Sequence, residues 1–269
     1  MALQASKIKA LFLDLDGVVW HGASPIGDLA ATFRKIYALN LLPLVGTNNA
    51  TQTPEAYCEK FASFGVEMKP EYIFSPAIGS AERFREEFPS NVRIHVLGSD
   101  SLRDYLRGAG FAVVDENADV VLASLDKRLT YDKLAAAQRE VLNGAKFYAT
   151  NLDNVLLTEA GIRPGGGAVV AALSSCTGVA PIVIGKPEPY MIQIAMRKFG
   201  LIAEEILVIG DRYDTDILGG LNAGCASVLV LSGVDNPQTI AKYDRAPDWI
   251  CADLGAAIDR LGIEKGESA

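Results

Sequence analysis

The chain has 269 residues, 49 % of them apolar and 22 % charged, with a formal net charge of −8. That length and apolar content allow one large or two smaller domains with a real core, and exclude a disordered chain. The acidic balance argues against nucleic acid and anionic membrane surfaces, which need a basic face; an anionic substrate stays open, since a bound divalent metal reverses the local sign. The four cysteines, Cys58, Cys176, Cys225 and Cys251, are scattered, without zinc spacing, and read as reduced thiols. The apolar run Ile8–Leu13 is too short for a signal peptide, and no stretch approaches the roughly 20 residues of a membrane span. A cytoplasmic protein is expected.

In chain order, Ile8 to Leu13 reads as a strand, and Leu41 to Val45 as a second. Pro43 sits badly in that second strand, because proline removes a ladder donor; the strand is expected to start late or to bulge there. Thr53-Pro54 opens a helix with Tyr57, Phe61 and Phe64 on one face, and Gly65 closes it. The middle of the chain reads as a second α/β unit. Its strands are expected at 92–97, 111–114, 120–124 and 146–149, with helices over 101–107 and from a Thr130 cap to Gly144. Pro181 to Ile184, Ile206 to Ile209 and Ser227 to Leu231 return to the first sheet, with a helix between carrying Ile192, Ala195, Met196 and Phe199. Short apolar strands alternating with helices predict an α/β fold. It is a Rossmann-like parallel sheet core with helices on both faces, over 1–77 and 182–269, with an α/β unit over 78–181 inserted into it.

Four strands end in polar residues: Asp14-Leu15-Asp16-Gly17, Gly46-Thr47-Asn48-Asn49, Gly185-Lys186-Pro187, and Gly210-Asp211 followed by Asp214, Thr215 and Asp216. The carboxyl ends of parallel strands form the ligand crevice, so residues 14, 47, 186 and 211 are expected to meet there. Asp14 and Asp16, at i and i+2 on a strand, would point to one side and, with Asp211, offer hard oxygens suited to Mg²⁺. A lysine and a threonine hydroxyl nearby would hold phosphoryl oxygens. A metal, a carboxylate nucleophile and a cationic clamp are what phosphoryl transfer needs. Singly, each residue is as well explained as a turn, a cap or a surface charge; the ordered set points to a site.

These four motifs resemble those of the haloacid dehalogenase superfamily, over nearly the whole chain. The similarity is strongest to the NagD-type, 4-nitrophenylphosphatase-like branch, subfamily IIA, whose α/β cap (C2 type) lies between the second and third motifs. Thr53 to Tyr57, Leu125-Asp126 through Thr130-Tyr131, and Pro164 to Gly167 look like that branch too. The resemblance implies a magnesium-dependent phosphatase acting on small phosphomonoesters, sugar phosphates, nucleotides or similar metabolites, through an aspartyl-phosphate. It makes Asp14 the nucleophile and metal ligand, and Asp16 the acid and base as well as a metal ligand through its backbone carbonyl. Lys186 becomes the neutralising cation, and Thr47, Asn48 and Asn49 contact substrate. Asp211 ligates metal directly, and Asp216 stands beside it through water or a hydrogen bond. The cap would read the leaving group. Leu152 and Pro76 depart from the branch's usual residues, and bear on the cap and hinge.

Other features are ambiguous. Gly165-Gly166-Gly167 would cradle a phosphate or begin a helix where the cap returns. His21 and His95 fit structural roles better than catalytic ones. Asp126 reads as a substrate contact or a solvated loop charge, and the acidic run Glu82 to Glu87 as an exposed helix face. No P-loop or dinucleotide fingerprint is present. A phosphotransferase or phosphomutase, a catalytically silent binding protein and a phosphorylatable receiver remain alternatives, the last disfavoured by the inserted unit. The expected partner is a small phosphorylated metabolite; a homodimer through the cap stays open.

Overall fold

The computed structural model describes residues 3–158 and 161–266. By its contacts the chain forms two compact units. The first takes Met1–Thr47, Pro54–Phe74 and Lys186–Ala269, and the second Asn48–Thr53 and Ser75–Gly185. The division falls at Ser75 and Gly185 rather than at 78 and 181, and it groups the loop 48–53 with the inserted unit.

The first unit opens with β1 (Ala10–Leu13) and a two-residue hairpin, β2 (Trp20–His21) and β3 (Ser24–Pro25). Helix α1 (Leu29–Ala38) follows, its first turn capped where the Asp28 carboxylate accepts from the Ala31 N–H at 2.9 Å. Then come β4 (Leu42–Gly46), α2 (Pro54–Ser63) and β5 (Ile73–Phe74). Pro43 lies inside β4, paired with Leu11, so the strand neither starts late nor bulges. The alternation of the ladder explains it. The Leu42 N–H donates to Lys9 on the β1 side and the Thr47 N–H to Phe74 on the β5 side. The nitrogen of residue 43 therefore faces the β5 side, where β5 pairs only with Val45 and Gly46. No ladder bond is lost.

The inserted unit runs α3 (Pro76–Glu87), β6 (Arg93–Leu97), α4 (Asp100–Gly108), β7 (Ala112–Val113), β8 (Val120–Ala123), α5 (Tyr131–Leu142) and β9 (Lys146–Ala149). A hairpin, β10 (Val155–Thr158) and β11 (Gly161–Pro164), then leads to α6 (Gly166–Thr177) and β12 (Ile182–Val183). Its parallel sheet has the order β12-β9-β8-β6-β7. On one face Val121, Ala123 and Phe147 pack with Ala137 and Val141 of α5 and Val169 and Leu173 of α6. On the other, the rings of Phe84, Phe88, Phe111 and Tyr148 meet edge to face. Thr130 caps α5, its hydroxyl accepting from the Lys133 N–H. One expectation is corrected here. The run Pro181 to Ile184 belongs to this sheet and not to the first, because Ile182 and Val183 pair with Tyr148 and Ala149.

The chain returns with α7 (Tyr190–Phe199), β13 (Ile206–Gly210), a π-helical turn Tyr213–Ile217 running into α8 (Leu218–Asn222), β14 (Ala226–Val230), α9 (Pro237–Ile240), β15 (Trp249–Cys251) and α10 (Leu254–Glu264). The first unit's sheet is entirely parallel, in the order β15-β14-β13-β1-β4-β5. All four residues of β1 and all five of β13 are buried, as befits a sheet covered on both faces. Leu11 and Leu13 point into a core shared with Phe33, Phe61 and Ile258. Phe12, one residue out of phase, points the other way, toward Phe74, whose ring meets Phe199 of α7. Among the described residues no helix is long and apolar enough to cross a membrane.

Candidate active site

Sheet topology places the chemistry. β1 and β13 are neighbours near the middle of the sheet, so the residues just past their carboxyl ends, Asp14 and Asp211, emerge side by side. The Asp14 N–H still donates to the Ile209 carbonyl at 3.0 Å, which holds its backbone in line with the ladder. Asp216 joins them from the π-helical turn after β13. Ligand oxygens of Asp14, Asp211 and Asp216 all lie within 4.8 Å of one another. Lys186, although it follows a strand of the other sheet, donates to Asp14 Oδ1 at 2.5 Å and to Asp216 Oδ1 at 2.7 Å. Its side chain is 4 % exposed.

The glycines of the motifs make this closeness possible. A Cβ on Gly210 would stand 2.1 Å from the Asp216 Cβ. Gly17 has a positive φ of 90°, which favours glycine, and a Cβ there would meet Asp211 Oδ2 at 2.4 Å.

Electrostatics follow from burial and like charge. Burial raises the Asp14 carboxyl well above the usual carboxylate range; Lys186 opposes this, while Asp216 and Asp211 add to it. Burial and the Asp216 charge push Asp211 up to about 7, against the Val234 N–H and Lys186. Burial would lower the Lys186 ammonium, but Asp14 and Asp216 outweigh it and hold the group above its ordinary value. Lys186 brings one positive charge to three carboxylates. Asp211 Oδ1 is buried without a hydrogen-bond partner, while its Oδ2 accepts from the Val234 N–H at 2.8 Å. An orphaned carboxylate oxygen beside two further carboxylates fits a hard divalent cation.

The strand alternation expected to bring Asp16 beside Asp14 does not operate. β1 ends at Leu13, and the chain bends at residue 15 and turns over residues 17–19, so the three-carboxylate group contains Asp216 in place of the Asp16 side chain. Asp16 is exposed, and its Oδ1 accepts from the Trp20 indole at 3.1 Å. Thr47 is buried at the end of β4. Asn48 and Asn49 belong to the inserted unit, where the Asn48 carbonyl accepts from the Asn151 amide at 2.8 Å and its own amide donates to the Asp153 carboxylate at 3.2 Å.

Several ambiguous features resolve. Asp126 is buried rather than solvated: its carboxylate pairs with Lys133 at 2.7 Å and accepts from the Arg128 N–H at 2.8 Å. The three glycines open α6, and Cβ atoms on Gly165 and Gly167 would stand 2.1 and 2.4 Å from the carbonyls of Asp153 and Leu152, so close packing accounts for them. His21 is exposed on the small hairpin, and His95 is buried with Nδ1 3.1 Å from the Asp115 carbonyl. Pro76 takes the first turn of α3, where proline is at home. Sequence reading placed Tyr57 only on a core-packing face. Burial holds its hydroxyl above its ordinary value, with the Thr47 hydroxyl acting against and Asp16 and Asp14 adding to the rise. Nothing in helical spacing distinguishes such a tyrosine from an ordinary core residue.

A parallel α/β core with clustered carboxylates and a lysine at its carboxyl edge, and a second α/β unit inserted in the chain, defines a two-unit α/β protein with an acidic site suited to a metal. Comparison with known proteins agrees. Residues 11–112 match the model of the haloacid dehalogenase-like hydrolases, and residues 183–257 a second model of the same kind. The chain is 38 % identical over 255 residues to an acid sugar phosphatase of Staphylococcus haemolyticus, covering 94 % of this chain and 96 % of the relative. Among solved structures it is similar to NagD from E. coli K-12, with a TM-score of 0.85, 31 % identity and coverage of 92 % and 97 %. It is similar also to a glycerol phosphate phosphatase from Mycobacterium tuberculosis in complex with magnesium, with a TM-score of 0.87, 30 % identity and coverage of 95 % and 78 %. The chain belongs to the haloacid dehalogenase-like hydrolases, in their NagD-type branch. It is a phosphatase, a phosphoric monoester hydrolase.

Proposed function

We propose that this phosphatase is Mg²⁺-dependent and hydrolyses small phosphomonoesters, sugar and polyol phosphates foremost, through an aspartyl-phosphate at Asp14. The contact that carries the reading is Lys186 bridging Asp14 and Asp216 across 172 residues of sequence separation from Asp14, beside the orphaned oxygen of Asp211. Asp14 Oδ attacks phosphorus, a P–O bond forms to the carboxylate, and the ester P–O bond breaks. Asp16 gives its proton to the departing alkoxide, then takes one from the water that attacks the aspartyl-phosphate, so inorganic phosphate leaves and Asp14 is restored. Lys186 favours the ionised Asp14 against the effect of burial and offsets negative charge on the phosphoryl group. The Thr47 hydroxyl holds a phosphoryl oxygen, and Asn48 and Asn49 orient the substrate. Asp14, Asp211, Asp216 and the Asp16 backbone carbonyl would hold Mg²⁺, which supplies charge stabilisation for the transferring group. The names of the staphylococcal and mycobacterial relatives support sugar and polyol phosphates as the substrate class. The magnesium in the mycobacterial complex supports the metal.

The test is phosphate release from 4-nitrophenyl phosphate and a panel of sugar phosphates, with Mg²⁺ and with EDTA, in wild type and Asp14→Asn. The variant keeps the size of Asp14 but loses its nucleophilic oxygen. Metal-dependent turnover in wild type, absent from Asp14→Asn, is expected; turnover persisting in the variant would overturn the mechanism.

A further inference from the structure

The loop carrying Asp16 is built around one aromatic residue. Trp20 is 1 % exposed, yet its indole N–H, a donor that cannot accept, needs a partner when buried. It finds Asp16 Oδ1 at 3.1 Å. The backbone locks the pair from the other side: the Gly17 N–H donates to the Trp20 carbonyl at 2.8 Å, and residues 16 and 20 form an isolated bridge. The ring itself is fixed. Phe61 meets it edge to face at 5.0 Å, and the Lys60 ammonium lies over it, 3.8 Å from the centroid. Asp16, by contrast, is exposed; a carboxylate on an exposed loop samples several rotamers unless something holds it.

We propose that Trp20 is the positioning residue for proton transfer by Asp16, its buried indole N–H engaging Oδ1 so that Oδ2 is the oxygen that carries and delivers the proton. The inference rests on the reading of Asp16 as the acid and base. The indole can only donate, so Oδ1 serves as its acceptor and Oδ2 is the oxygen left for exchange with the leaving group and with water. Removing the indole N–H leaves the acid present but lets it rotate. The loss in kcat/KM, which reports the first, leaving-group step, is then confined to substrates whose leaving group needs a proton, whereas a slower hydrolysis of the aspartyl-phosphate lowers kcat on every substrate.

The experiment compares kcat/KM for phenyl phosphate and glycerol phosphate, whose leaving groups are basic, with that for 4-nitrophenyl phosphate, whose leaving group departs as an anion. Trp20→Phe removes the N–H and keeps an aromatic ring. A cleaner second variant replaces Trp20 by β-(3-benzothienyl)alanine in a Trp249→Phe background, which exchanges only N–H for sulfur and retains the ring volume if Trp20→Phe folds poorly. We expect kcat/KM to fall about 10-fold for the basic leaving groups, less than the roughly 10²–10⁴-fold that general acid catalysis supplies in full because the acid itself remains, and by less than about 2-fold for 4-nitrophenyl phosphate. An equal fall on all substrates, as a merely structural role would give, or no fall at all, overturns the positioning role. Asp16→Asn is the control that separates the two readings. If it shows the same leaving-group dependence, larger, while the Trp20 variants do not, only the positioning role fails. If Asp16→Asn shows none, Asp16 is not the acid, and the role of Trp20 falls with it.

Discussion

Lys186 is the residue on which the charge balance of the core turns. It is almost fully enclosed and pairs with two of three clustered carboxylates. Removing one partner from a buried ion pair leaves uncompensated charge, at a cost of about 3–5 kcal/mol. Lys186→Met is therefore expected to lower the urea midpoint strongly in EDTA, and added Mg²⁺ to recover part of the loss by supplying charge from the other side of the cluster; an unchanged midpoint in EDTA would show that the carboxylates accommodate the loss by taking up protons. Phosphatase activity is expected to be lost as well, since Asp14 is left without its neighbouring cation. His95 makes a different residue-scale prediction. Burial holds its imidazole below the ordinary value, despite the hydrogen bond to Asp115 and aided by the Arg103 charge. The folded state then binds fewer protons than the unfolded state as pH falls. Its contribution to stability is complete above the unfolded value of about 6.5 and is lost as pH drops through it toward the folded value. Urea denaturation between pH 5.5 and 8 should show that loss in wild type, and less of it in His95→Asn.

At the scale of elements, the strand ends and their glycines do the positioning. β13 delivers Asp211, and the π-helical turn that follows swings Asp216 back over Gly210. Gly210→Ala places a methyl group on the Asp216 Cβ. Overpacking of this kind costs about 1–3 kcal/mol, and here the strain falls on a carboxylate of the cluster. The expected outcome is a fold retained by circular dichroism with at least a 10-fold loss of turnover and weaker Mg²⁺ dependence; full activity would mean that Asp216 is not held where the reaction needs it. Two further elements show how local pattern and tertiary pairing differ. Pro43 violates strand propensity at the level of the residue, yet costs β4 no ladder bond, because β5 is too short to reach it. The run Pro181 to Ile184 has the composition of any short buried strand; only its pairing with Tyr148 and Ala149 assigns it to the inserted sheet.

For the whole molecule, the proposed Mg²⁺ at the carboxylate cluster would couple folding to metal. A cation that binds the native cluster and not the unfolded chain stabilises by RT ln(1 + [L]/Kd). The melting temperature is expected to rise with Mg²⁺ concentration in wild type and to rise less in Asp211→Asn, which removes the charge but not the shape of the residue with the orphaned oxygen. A melting temperature independent of Mg²⁺ in wild type would remove the metal from the proposal. The two-unit organisation was legible in the alternation of strands and helices, and the site in four motifs each placed after an apolar run. Strand alternation did not give the membership of the carboxylate group, although the family resemblance sets Asp216 beside Asp14 and Asp211. The i, i+2 rule applies only while the chain is extended, and β1 stops one residue before Asp14, so Asp16 turns away to Trp20 while Asp216 takes its place. Asp126 likewise could not be assigned from its loop, because its partner Lys133 lies in the first turn of α5.

What the sequence determined by itself was the inventory and order of chemical groups: the paired carboxylates Asp14 and Asp16, a lysine after an apolar run, and a late acidic cluster. These are local properties, set by residue type and by the periodicity of the flanking strands and helices. The tertiary structure alone decided which of them share a volume. The parallel pairing of β1 with β13 brings Asp14 and Asp211 together, the turn over Gly210 adds Asp216, and burial raises the carboxyls of Asp14 and Asp211. Distances between residues some 200 positions apart depend on how sheets pair, and pairing is a property of the whole chain.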